Sequence, residues 1–117
     1  MILALQLTYA LIALAHNGLS LRRVQGGQRP LTSNDPRHGF VVMSVYTLCL
    51  GTAFLPWPWV YRGLMGMAVV VLGIVGIVRH LRHPEAFSTR LALVSAVSIN
   101  AVGLLLNAMA AAGIGAD

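Results

Sequence analysis

The sequence contains no lysine, only three acidic residues (Asp35, Glu85 and Asp117) and a single cysteine in 117 residues. Each scarcity excludes something. Charged residues make up 9% of the chain, against about a quarter in soluble domains. With a mean hydropathy of +0.77, the chain has too little polar surface for a water-soluble globular domain. Cys49 sits inside an apolar run, so there is neither a disulfide framework nor a thiolate metal motif; it is expected to act as a small buried hydrophobe. The few carboxylates form no acid/base pair, no nucleophile elbow is present, and Gly26-Gly27 lacks the strand and lysine of a phosphate loop. Catalysis by this chain alone is not expected.

Arginine supplies all eight basic residues and a net charge of +5. The arginines stand at the ends of apolar runs rather than in a basic stripe with interleaved aromatics, so nucleic acid is not an expected partner. Their placement reads as membrane topology instead. The clearest run lies between Arg62 and Arg79, with no charge from Gly63 to Val78, which as a helix covers roughly 24 Å of bilayer core. Trp57, Trp59, Tyr61, Arg62 and Arg79 flank it as interface anchors, since amphipathic rings and long basic side chains favour the headgroup level.

Three further runs complete an all-α integral membrane protein in one domain, residues 1–117, with spans at about 1–21, 40–55, 59–79 and 90–114. The segment from Leu21 to His38 reads as a polar loop, with turn chemistry at Gly26-Gly27, Pro30, Ser33-Asn34 and Asp35-Pro36. Pro56-Trp57-Pro58-Trp59 stops the second span and makes it an antiparallel hairpin with the third. Ser88 or Thr89 is placed to cap the fourth. With four spans in an up-down bundle, the first and third loops share a side, and together they carry seven of the eight arginines. The positive-inside tendency then puts both loops in the cytoplasm and both termini on the non-cytoplasmic side, as in a bacterial inner membrane. The first span is read as retained, because no positive n-region precedes it and Arg22-Arg23 follow it.

Each span has a face that lipid would not select. Gln6, Tyr9, Ala13, His16 and Asn17 recur at helical spacing on the first. Ser44, Thr47 and Gly51 do so on the second, and Ala96, Asn100, Gly103, Asn107 and Ala110 on the fourth. On the third, Gly63, Gly66, Gly73 and Gly76 fall within less than half the circumference at about 100° per residue. Small faces let helices approach closely, and amides and hydroxyls bond across them. Counted from the outer ends, Gln6 and Asn107 lie at equal depth and are expected to bond to each other. Gln6, Tyr9, His16, Asn100 and Asn107 are also the candidates for a ligand pocket or polar path. No Asp, Glu, Lys or Arg lies in the central part of any span, which counts against ion-coupled transport of the kind that uses such a residue.

His16, His38, His80 and His83 all fall toward the arginine-rich loops. Imidazoles gathered there have the donor type for a divalent metal, and His16 with His80 is the pair placed for haem. Three readings are open. The expectation is an accessory or structural subunit of a larger membrane complex, packed against other subunits or a second copy of itself, without a cofactor. The alternatives are a small homo-oligomeric transporter or channel, and a protein holding haem, quinone or metal at its histidines.

Overall fold

The computed structural model describes residues 1–31 and 35–115, and the expected turn at Ser33-Asn34 lies outside them. Regular structure among the described residues is entirely helical. Helix α1 is Ile2–Gln25, α2 is Pro36–Leu50, α3 is Pro58–Arg82 and α4 is Arg90–Ala111, with 3-10 turns at Gly51–Phe54 and Pro84–Ala86. Helices α1, α3 and α4 are long and apolar enough to cross a membrane. Helix α2 has 15 residues, about 22 Å, and the 3-10 turn after it adds about 8 Å more.

Local chemistry sets the ends. Helix α1 continues past Leu21 to Gln25, since Arg22 and Arg23 suit the negative end of the helix dipole. It stops in a Schellman turn, with Gly27 at φ +75 and the Gln28 N–H on the Arg23 carbonyl at 2.9 Å. Helix α4 ends the same way, with Gly113 at φ +77 and the Ile114 N–H on the Met109 carbonyl at 2.9 Å. Thr89 caps α4, its hydroxyl accepting from the Ala92 N–H at 3.1 Å. Asp35 caps α2, with Pro36 in the first turn where its missing N–H costs nothing. Between α3 and α4, the Glu85 carboxyl lies 3.2 Å from His83 Nδ1. Its own backbone N–H, and then the His83 ring, hold it below the ordinary carboxylate range.

The helix directions follow from named contacts. Along α1 and α4, Ile2 lies against Gly115, Gln6 bonds Asn107, and Tyr9 fills the space at Gly103, so the two run in opposite senses. Arg62 lies beside Gly113, Gly73 against Leu104 and Gly76 against Asn100, which sets α3 antiparallel to α4. Helix α2 returns along α1, with Asn17 against Gly39 and Tyr9 edge-on to Tyr46. Helix α2 meets α3 mainly near their connecting turn, and the two diverge toward the other end.

Many inward positions are small (Ala10, Ala13, Ala96, Gly103, Ala110), beside larger buried residues such as Met43, Leu50 and Met65, while Leu11, Leu48, Leu91 and Leu105 face outward. This distribution suits an apolar surrounding, where close backbone approach rather than expulsion of water holds helices together.

Two faces differ from their sequence reading. On α2 the buried residues are Met43, Tyr46 and Leu50, not Ser44, Thr47 and Gly51. Ser44 and Thr47 bond back to the Phe40 and Met43 carbonyls at 2.9 and 2.8 Å. Satisfied within their own helix, they need no interior partner. Gly51 is exposed and meets nothing. On α3 the glycines do not form one continuous face, because Val69–Val75 is π-helical. Its i→i+5 bonding widens the turn and shifts the register of everything beyond it. Gly73 and Gly76 pack on Leu104 and Asn100, whereas a Cβ at Gly63 or Gly66 would meet no atom within 4 Å.

Candidate functional site

Polar side chains inside the helices gather at two levels. The first is a closed knot toward the Met1 and Trp57 end. Gln6 and Asn107 are both 0% exposed, and Gln6 Nε2 donates to Asn107 Oδ1 at 2.9 Å, the bond their matched depths predict. The Tyr46 hydroxyl donates to the same oxygen at 2.8 Å. The Tyr61 hydroxyl donates to Gln6 Oε1, and Gln6 Nε2 also reaches the Met65 sulfur at 3.1 Å. Tyr9 stands edge-on to Tyr46, with ring centroids 5.6 Å apart. All four helices contribute to the knot.

Tyr61, expected at the interface, therefore turns its hydroxyl inward, while Trp57 and Trp59 are exposed as anchors should be. Arg62 reaches across to the Ala112 carbonyl, at 3.5 Å, at the end of α4. Sequence periodicity did not point to Tyr46. The available signal was its hydroxyl, which needs a partner when an aromatic residue lies mid-helix in an apolar run.

The second level is a cleft of about 190 Å³ toward the arginine-rich end, bounded by all four helices. His16, Asn17, His38, Arg79, His80 and Asn100 supply its polar wall, and Val42, Val71, Leu72, Val75 and Ile99 its apolar wall. His80 is 5% exposed and its ring stands edge-on to Phe87, with centroids 5.2 Å apart, which fixes its plane. His16 is near enough for the two imidazoles to interact electrostatically. Asn17 donates to the Ala13 carbonyl at 2.8 Å and turns its amide oxygen toward Gly39, where no Cβ would fit. Among the described residues neither His16 nor the Asn100 amide makes a hydrogen bond, and in the knot the buried Asn107 Nδ2 has no partner. Tyr9 joins the two levels, lining the cleft as well as bordering the knot.

The tertiary structure thus brings three of the four sequence-identified histidines together and leaves the fourth apart. Helix α3 ends at Arg82, so His83 leaves the helical spacing and lies in a shallow groove with Arg82 and Glu85. No group of three or more His, Cys, Asp or Glu among the described residues is arranged to hold a metal ion. A volume of about 190 Å³ is below the roughly 300 Å³ at which sites for drug-sized ligands begin. It accommodates a headgroup or a single ring.

Comparison with protein-family models, with curated proteins and with solved structures finds no match.

Proposed function

We propose that the chain is a small four-span protein of a bacterial inner membrane that serves as a structural or accessory subunit of a larger membrane assembly. In this reading α2 with its 3-10 turn forms the short span. The helix ends and loops bearing Arg22, Arg23, Arg29, Arg37, Arg79, Arg82 and Arg90 face the cytoplasm, following the positive-inside bias. The observation that carries the subunit role is the open backbone at Gly63 and Gly66. A helix that uses its other two glycines for close packing leaves this pair without a neighbour, and a partner helix gains dispersion contacts there that lipid chains make poorly. The knot of Gln6, Tyr46, Tyr61 and Asn107 adds support, because side chains bonded to one another across all four helices close off a polar path rather than line one.

Gentle detergent extraction of the tagged protein followed by blue-native electrophoresis tests this. The expected result is comigration with larger subunits, lost in Gly66→Leu while the helicity and thermal unfolding of the purified chain stay unchanged. A discrete homodimer supporting substrate flux in vesicles would instead establish the transporter reading.

A further inference from the structure

We propose that the cleft is a binding site for the oxyanion headgroup of an amphipathic ligand, with an anionic phospholipid as the occupant the bilayer itself supplies. The proposal goes beyond the subunit role and rests on different residues.

Every side chain of the polar wall can donate a hydrogen bond, while its imidazoles and amides also carry acceptor lone pairs. Arg79 brings a permanent positive charge, His16 and His38 bring imidazole rings, and Asn100 brings an amide with no hydrogen-bond partner among the described residues, while His80 lines the cleft already engaged in an interaction of its own. Among the described residues no carboxylate lines the cleft: Asp35 caps α2 and Glu85 sits in the separate groove with His83. Donors converging without a counter-charge suit an oxyanion, and charge-assisted bonds from guanidinium to phosphate are the strongest kind available to them. Imidazoles alone can ligate a metal, but no group of three or more His, Cys, Asp or Glu among the described residues is arranged to hold one.

Shape selects an amphiphile over a wholly polar ion. The apolar wall of Val42, Val71 and Val75 comes from α2 and α3, which diverge toward this end. The cleft holds a headgroup only, at about 190 Å³, so acyl chains continue outward between these two helices into lipid. A basic pocket between helices at the arginine-rich side is a geometry in which anionic headgroups bind.

The test uses the full chain in nanodiscs of phosphatidylcholine with or without phosphatidylglycerol, read by native mass spectrometry of the released protein. Phosphatidylglycerol is expected to be retained as a one-to-one adduct in preference to phosphatidylcholine. Asn100→Asp preserves the side-chain shape but places a negative charge in the cleft, and Arg79→Gln removes the fixed positive one. Each is expected to lower retention by about tenfold or more, with Arg90→Gln, outside the cleft, unchanged. Displacement by millimolar inorganic phosphate confirms that the oxyanion is what is read, and phosphate binding without lipid preference assigns the site to the free ion instead. Equal retention of the two lipids with no phosphate binding, or retention indifferent to Asn100→Asp, overturns the proposal. Independently of any variant, ¹⁵N-histidine spectra of the unaltered protein should show His16 shifting on addition of phosphatidylglycerol while His83 stays fixed; an unmoved His16 signal overturns it equally.

Discussion

Asn107 shows how much one side chain does in an interior that offers few polar partners. Its Oδ1 accepts from both Gln6 and Tyr46, and Gln6 in turn accepts from Tyr61, so one amide oxygen holds α1, α2 and α4 together and reaches α3 through Gln6. Removing it leaves two buried donors without an acceptor. Asn107→Leu is expected to lower the unfolding free energy by about 1–3 kcal/mol, measured by reversible SDS unfolding. Gln6→Leu removes part of the same network, so the double variant should cost clearly less than the sum of the single ones. Strict additivity would show that the knot does not act as a unit. The Gln6 to Asn107 bond was legible in the sequence, because both residues lie a countable number of turns from their helix ends. The part played by Tyr46 and Tyr61 was not, since depth can be counted along a chain while the rotation of one helix against another cannot.

At the scale of the element, α3 separates what periodicity can and cannot show. Its length and apolar character were plain, and so were its four glycines. Their alignment holds only for an unbroken α-helix, and the π-helical turn at Val69–Val75 resets the register between the first pair and the second. The glycines accordingly divide into packed and open. Gly73→Ala pushes a methyl into Leu104, and Gly103→Ala pushes one into the rigid ring of Tyr9, so both are expected to lower the thermal unfolding temperature in detergent. Gly63→Ala and Gly66→Ala meet nothing and should be neutral, or stabilising by up to about 1 kcal/mol through helix propensity. Four variants with equal losses would contradict the division. Helix α2 gives the complementary lesson. Its hydroxyls looked like an inward face by spacing, yet bonds to their own helix carbonyls made their direction irrelevant to burial.

For the whole molecule, the distribution of arginine makes a prediction that depends on no contact. In the proposed orientation a periplasm-active phosphatase fused after Asp117 is active, and the same reporter fused in the loop at Glu85 is inactive at equal expression. The reverse pattern would invert the topology and place the cleft on the opposite side of the membrane. At 46 Å along its longest axis, the molecule is longer than the roughly 30 Å hydrocarbon core, a length compatible with crossing it.

Composition and charge spacing were sufficient for the helical, membrane-compatible character of the chain, for the starts of α3 and α4 and for the depth match of Gln6 with Asn107, whereas α1 runs on to Gln25 and α2 spans Pro36–Leu50 rather than 40–55. These depend on properties that add along one dimension: hydropathy over a window, residues per turn, and the chemistry of capping residues. Only the tertiary structure decided which histidines meet, which glycines are covered and where a cleft remains. Those outcomes depend on helix rotation, on a change of helical register within α3 and on the divergence of α2 from α3. Each is set by side chains from separate helices packing together, so none follows from the local pattern of a single span.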